Sequence, residues 1–285
     1  MKRIAIIGLG LMGGSLGLAL RRLGLAHVSA YARRAETRQL ALDMGAVDVI
    51  YDTPQAALRG ANLAVFCTPV CTMPTLAKEC MSAFEPGCVV TDVGSTKAEL
   101  VRDMNLLFRD TSIVFVGSHP MAGSEKSGLD AALTNLYEGA VTAVTPDPGT
   151  PAAGIQDVMT LWGGVGARVV QLDPSEHDIL VAKTSHLPHL ISALLVMSAG
   201  RIPQSQGLPL FLGPGFRDTT RIAGGSPDMW HDIVKSNRTA ILEELRQYGE
   251  ALGSLTVLIE NEDYAGLRNR LETARSIRAE LLGKA

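Results

Sequence analysis

The chain has 285 residues, 46% of them hydrophobic and 19% charged, with a formal net charge of −3. This length suits one large or two medium domains, and this balance builds a sizeable core rather than a disordered chain. There is no basic block or aromatic-interleaved basic stripe to engage nucleic acid, no run of about 18 uninterrupted apolar residues to span a membrane, and no secretory cleavage pattern at the N-terminus.

Ile4–Ile7 is a short apolar strand, and Gly8-Leu9-Gly10-Leu11-Met12-Gly13 follows it directly. The pattern G-x-G-x-x-G between a strand and a helix (Gly14–Leu23) has the context of a dinucleotide-binding turn. The first glycine makes the turn, the second admits a pyrophosphate to the backbone, and the third lets helix and strand pack closely. Free N–H groups at the helix start face the phosphates.

Further candidate strands are His27–Tyr31, Leu63–Phe66, Val89–Asp92, Ile113–Val116, Ala140–Val144 and Ala167–Leu172. Candidate helices between them are Ala35–Met44, Pro54–Leu58, Thr72–Ser82, Lys97–Phe108 and Gly154–Trp162. This alternation implies βαβ units and a doubly wound, mainly parallel sheet, with its ligand site beyond the strand carboxyl ends. Residues 1–171 form this α/β half. Within it, Gly117–Gly128 sets His119 on a small-residue loop after an apolar run, as a ligand group or as a capping histidine. Cys67, Cys71, Cys80 and Cys88 match no zinc spacing and are expected to be buried, reduced thiols.

Residues 172–285 read as all-helical. Asp173-Pro174-Ser175-Glu176 is a helix start, and His177–Arg201, Met229–Ile259 and Glu262–Leu282 are long helical stretches. Leu190–Met197 is apolar on most faces, which suits a large core or a subunit interface. Arg217 and Arg221, four apart, would share a helical face and suit either a carboxylate ligand or a solvated basic surface. His189 is open to the same choice between ligand contact and satisfied core histidine.

Taken together, Gly8-x-Gly10-x-x-Gly13-Gly14-Ser15, Asp92-Val93-Gly94-Ser95-Thr96-Lys97, Gly117-Ser118-His119-Pro120-Met121-Ala122-Gly123, Ser185-His186-Leu187-Pro188-His189 and Gly215-Phe216-Arg217-Asp218-Thr219-Thr220-Arg221 resemble the prephenate/arogenate dehydrogenases of tyrosine biosynthesis. The resemblance implies an N-terminal Rossmann domain and an all-α C-terminal dimerisation domain, with the active site between the two halves. It also implies oxidative decarboxylation of a cyclohexadiene that bears a ring hydroxyl and two carboxylates. By that resemblance His119 is the catalytic histidine and Ser95 contacts the same hydroxyl. Arg221 grips the side-chain carboxylate, and His189, Arg217 and Glu125 complete the substrate contacts. Trp230 is expected to serve the architecture first.

The cofactor contacts are expected from Gly8, Leu9, Gly10, Leu11, Met12 and Gly13, from Ala32, Arg33 and Arg34, and from Cys67-Thr68-Pro69. An NAD site ends its second strand on an acidic residue that binds the ribose 2′-hydroxyl. Here Ala32-Arg33-Arg34 stands at that point, which favours NADP over NAD. A cytoplasmic homodimer is expected, with no separate regulatory domain, so that inhibition by tyrosine acts at the active site. The alternatives are a β-hydroxyacid or phosphogluconate-type dehydrogenase, with Lys183 as its catalytic group, and an NADPH-binding sensor without turnover.

Overall fold

The computed structural model describes residues 2–123, 126, 128–201 and 208–283. Strand β1 (Lys2–Ile7) buries Ile4 to Ile7 on both faces, as a central parallel strand must. Around it lie α1 (Leu11–Arg22), β2 (Ala26–Tyr31), α2 (Ala35–Asp43), β3 (Val49–Tyr51), α3 (Pro54–Leu58), β4 (Leu63–Phe66), α4 (Met73–Glu79), β5 (Val89–Asp92), α5 (Ala98–Phe108) and β6 (Val114–Phe115). The six strands pair in parallel in the order β3-β2-β1-β4-β5-β6. Alternate residues of β1 face opposite ways. Ile4 and Ile6 join Leu16, Leu20, Val28 and Trp162 on one side, while Ala5 and Ile7 join Leu58, Phe66, Met73 and Phe108 on the other.

The strand order reverses between β1 and β4, and the glycine turn opens there. Gly8 has φ +105°, and a Cβ at Gly13 would overlap the Gly8 carbonyl oxygen. Only glycine serves at both places.

A second sheet holds β7 (Gly117–Pro120), β8 (Val141–Thr145) and β9 (Arg168–Gln171), with β7 antiparallel and β9 parallel to β8. Helix α6 (Ala152–Gly164) precedes β9. The expected loop at His119 is therefore a strand, with His119 opposite Ala143. Gly, Ser, His and Pro have little strand propensity, and here the ladder to β8 overrides it. The three-residue β3 also escaped the sequence reading, because so short a run carries no periodicity.

Beyond β9 the described elements are helical: α7 (Pro174–Val181), a π-helical turn (Ala182–His186), α8 (Leu187–Ala199), α9 (Pro214–Thr220), a 3₁₀ turn (Arg221–Gly224), α10 (Pro227–Ser236), α11 (Arg238–Glu260) and α12 (Tyr264–Leu282). Asp173 caps α7 by accepting from the Ser175 and Glu176 N–H groups. The single long helix expected over Met229–Ile259 is broken at Asn237, whose side chain is committed elsewhere. Helix α9 ends at Thr220, so Arg221 opens the next turn instead of extending the helix of Arg217.

By its contacts the chain forms two compact units, residues 1–238 and 239–285. Among the described residues one helical stretch, Pro174–Ala199, is long and apolar enough to cross a membrane. It carries buried His177, Asp178, His186 and His189, and these polar groups are used in the site described below.

Gly13→Ala should destabilise the fold by about 1–3 kcal/mol, the usual range for overpacking. Gly10→Ala, where a Cβ would meet nothing within 4 Å, should cost less, about 0.5–1 kcal/mol for exchanging a glycine N-cap for alanine. Thermal unfolding of the two variants checks this, and equal losses would contradict it.

Candidate active site

The site is organised by a charge pair without solvent contact. Lys97 and Asp92 are both fully buried and form a salt bridge. The Lys97 ammonium also donates to the Ser118 carbonyl at 2.9 Å. Asp92 accepts from the backbone N–H groups of Ser118 at 2.9 Å and Gly94 at 2.7 Å. These bonds tie the carboxyl end of β5 and the loop carrying Ser95 to strand β7. Burial lowers the Lys97 pKa, and the Asp92 carboxylate opposes that shift. Ser118 is held further by Thr91 at 2.8 Å and by the Trp162 indole N–H at 2.9 Å.

His119 follows Ser118 and inherits this rigidity. Its imidazole is partly exposed, and its Nδ1 lies 2.9 Å from Nε2 of His177. His177 Nδ1 in turn lies 2.8 Å from Asp178 Oδ1. Asp178 Oδ1 accepts from the Lys97 N–H at 2.8 Å, and Oδ2 accepts from the Ala98 N–H at 2.9 Å. The carboxylate of α7 thus closes the start of α5, which has no side-chain cap of its own. Burial, followed by the charges of His177, Lys97 and His186, pushes the His119 pKa well below the ordinary histidine value.

The π turn connects this network to the next group. Nine residues separate His177 from His186, two and a half turns of a regular α-helix, so the two would face opposite ways. The wider turn lets both be buried. Pro188 lacks the N–H that a regular helix would return to Thr184, and this favours the wider turn. Asn237 donates to the Asp178 carbonyl at 2.8 Å and lies 3.2 Å from His186 Nδ1. Burial brings the His186 pKa down to about 4. His189 stacks on Trp230 with ring centroids 3.5 Å apart and planes 11° apart, and burial lowers its pKa too. Thr96 and Ser236, 2.8 Å apart, join the Ser95 loop to α10, the helix that carries Trp230.

The structure brings Ser95 and His119 onto adjoining, mutually bonded segments. It places His189 on α8, against which α9 and the turn beginning at Arg221 pack. Arg217 and Arg221 are both exposed, and the Arg217 Nε donates to the Leu212 carbonyl. Glu125 lies outside the described residues. Lys183, the group required by the alternative dehydrogenase chemistry, is exposed on the π turn. Cys71 is exposed and Cys67 half-buried, against the expectation of four buried thiols; all four are free. The sequence reading passed over Lys97, Asp92, His177, Asp178 and Asn237 as site groups. Asp92 and Lys97 end the motif at residues 92–97 without being given a role, and His177 and Asp178 were signalled only by the polar trio Glu176-His177-Asp178.

A dinucleotide fits the turn after β1. The N-terminus of α1 has no side-chain cap and no acidic residue in its first turn, and the face of Gly10 is open. The Thr68 hydroxyl, in the loop after β4, is buried and has no hydrogen-bond partner among the described residues. Ala32 is buried at the end of β2, Arg33 and Arg34 are exposed, and Arg38 donates to the Ala32 and Arg33 carbonyls.

The family model of the prephenate dehydrogenase nucleotide-binding domain matches residues 16–171, and that of the prephenate dehydrogenase dimerization domain matches residues 173–273. The chain belongs to the prephenate dehydrogenase family. The prephenate dehydrogenase of Lactococcus lactis is 32% identical over 281 residues, covering 98% of this chain and 77% of that one. The cyclohexadienyl dehydrogenase of Zymomonas mobilis is 33% identical over 267 residues, covering 92% and 90%. The crystal structure of the Aquifex aeolicus prephenate dehydrogenase with hydroxyphenyl propionate and NAD+ superposes with a TM-score of 0.91 at 32% identity, covering 99% of this chain and 98% of that one.

Lys97→Met should cost about 3–5 kcal/mol, because it strands a buried carboxylate. Denaturant unfolding measures it, and a loss below about 1 kcal/mol would show that the pair does not hold these segments.

Proposed function

We propose that this member of the family catalyses NADP-dependent oxidative decarboxylation of a prephenate-type cyclohexadiene: prephenate, arogenate or both. One observation carries the reading. The β5 loop with Ser95 and the β7 strand with His119 are clamped together beside the strand-order reversal where a dinucleotide would lie.

His119 is proposed to take the ring hydroxyl proton at Nε2, with Ser95 holding the same oxygen. The bound dinucleotide supplies the acceptor for the hydride leaving that ring carbon. The ring carboxylate then leaves as CO2, its electron pair flows through the ring to the oxygen, and His119 returns the proton to it. No net proton is released, so the base must hold one proton briefly and give it back. Arg221 is proposed to bind the side-chain carboxylate, with Arg217, His189 and Glu125 around it. Gly8–Gly13, Cys67, Thr68 and Pro69 are proposed to line the cofactor. Trp230 acts by fixing the ring of His189.

NADP is favoured by the absence of a carboxylate at Ala32 and by the exposed guanidiniums of Arg33 and Arg34. Asp48, the carboxylate nearest in sequence after α2, is engaged by Arg21 and by the Val28 N–H. Division at residues 171 and 172 into a cofactor half and a helical half is part of this reading. So are a cytoplasmic location and a homodimer through the helical half. The matching dimerization model and the exposed Leu194, Leu195, Val196 and Met197 on α8 support the dimer.

His119→Ala should lower kcat by about two to four orders of magnitude and leave dinucleotide binding intact. In the wild type, kcat/KM should hold its plateau below pH 6.5, because His119 stays neutral there. Near-normal turnover by the variant would remove His119 from the chemistry. In a separate comparison of cofactors, kcat/KM should favour NADP, and Arg33→Ala should cost NADP about tenfold while changing NAD little. A clear preference for NAD would overturn the cofactor assignment.

A further inference from the structure

We propose that Asp178 and His177 are positioning residues that hold His119 in its Nδ1–H tautomer and share the proton His119 receives. The inference rests on the reading of His119 as the base. It follows from hydrogen-bond directions along one chain of atoms. Both Asp178 oxygens accept backbone N–H groups at the start of α5, so this carboxylate is an acceptor. His177 Nδ1, 2.8 Å from Oδ1, therefore donates. In the proposed arrangement His177 is in its neutral form, which has one N–H, so that its Nε2 carries a lone pair. His119 Nδ1, 2.9 Å away, must donate into it. That leaves His119 Nε2 bare, the only nitrogen of the pair available to a ligand.

The arrangement answers an electrostatic difficulty. Burial first, and then like charge on His177, Lys97 and His186, leaves His119 a poor holder of a proton, so His177 can help only as a neutral acceptor. Among the described residues, the groups facing His119 are His177 from α7, Lys97 with its partner Asp92 at the β5–α5 junction, and His186 from the π turn. Of these elements, α7 alone presents an acceptor to His119 with a carboxylate directly behind it. When a hydroxyl proton reaches His119 Nε2, the Nδ1 proton can move to His177 Nε2. His177 keeps its Nδ1–H on Asp178. The hydroxyl O–H breaks as the His119 Nε2–H forms, the His119 Nδ1–H breaks as the His177 Nε2–H forms, and one positive charge is spread over two rings beside one carboxylate. Return of the proton to the ring oxygen reverses both moves, so the pair stores the proton without exchanging it with solvent.

The test combines a tautomer measurement with two substitutions at His177. Nitrogen-15 NMR of the imidazoles in the wild-type protein should show His119 protonated at Nδ1 and bare at Nε2; the opposite tautomer would overturn the proposal. His177→Leu, which removes the acceptor, should lower kcat about 10- to 100-fold with KM changed less than about threefold, and should move the acid limb of the kcat profile to lower pH. His177→Gln, whose side-chain oxygen can hold the His119 Nδ1–H but cannot take its proton, should recover part of the kcat lost in His177→Leu while leaving the acid limb at the Leu variant's position. A folded His177→Leu enzyme with wild-type kcat and pH profile would overturn the proposal, as would a Gln variant as impaired as the Leu variant. If the Leu variant does not fold, the NMR measurement decides. Retained turnover in His119→Ala would defeat the assigned base, whereas the tautomer result would still stand or fall alone.

Discussion

The site depends on a lysine ammonium buried away from the protein surface. Removing such a charge from solvent costs several kcal/mol unless every direction it faces is answered. Lys97 is met by the Asp92 carboxylate and the Ser118 carbonyl, and Asp92 is completed by the N–H groups of Gly94 and Ser118. These partners belong to β5, the loop that follows it and β7. The pair therefore acts as a three-way clamp, and the segments it joins are the ones that carry Ser95 and His119. A looser arrangement would leave a buried charge uncompensated, so the geometry is specified rather than merely compatible.

The same lysine shapes the chemistry. After burial and alongside the neighbouring histidines, its charge disfavours the protonated form of His119. In the proposed reaction a neutral His119 is ready to accept a proton and needs help once it has one, which is the part proposed for the Asp178–His177 pair. Asp178 also caps α5, whose N-cap is Lys97. On that reading one carboxylate both caps the helix and supports the base.

Much of this was legible in the sequence. The glycine turn announced itself through the strand before it and the helix after it, and parallel strands such as Leu63–Phe66 and Val89–Asp92 were plain apolar runs. His119 was singled out as a site residue, though it was placed on a loop and the structure puts it on β7. Its strand exists because β8 offers a ladder, and no local preference of Gly-Ser-His-Pro reports that. Lys97 stood within the motif at residues 92–97 without a role, since its pairing with Asp92 depends on how β5 meets β7. His177 and Asp178 read as polar residues at the start of a helix. Only the fold brings His177 beside His119, 58 positions earlier. The π turn was likewise hidden, because Pro188 signals a disturbed helix without saying which kind.

The central claim is that His119 presents a bare Nε2 to the substrate's ring oxygen while His177 holds its other nitrogen. A crystal structure of the enzyme with NADP and a hydroxyphenyl product analogue tests it most directly. The account predicts the ring oxygen within hydrogen-bond reach of His119 Nε2, about 2.6–3.2 Å, with Nδ1 still on His177. A ring oxygen held by other groups, with His119 turned away from it or detached from His177, would contradict the account.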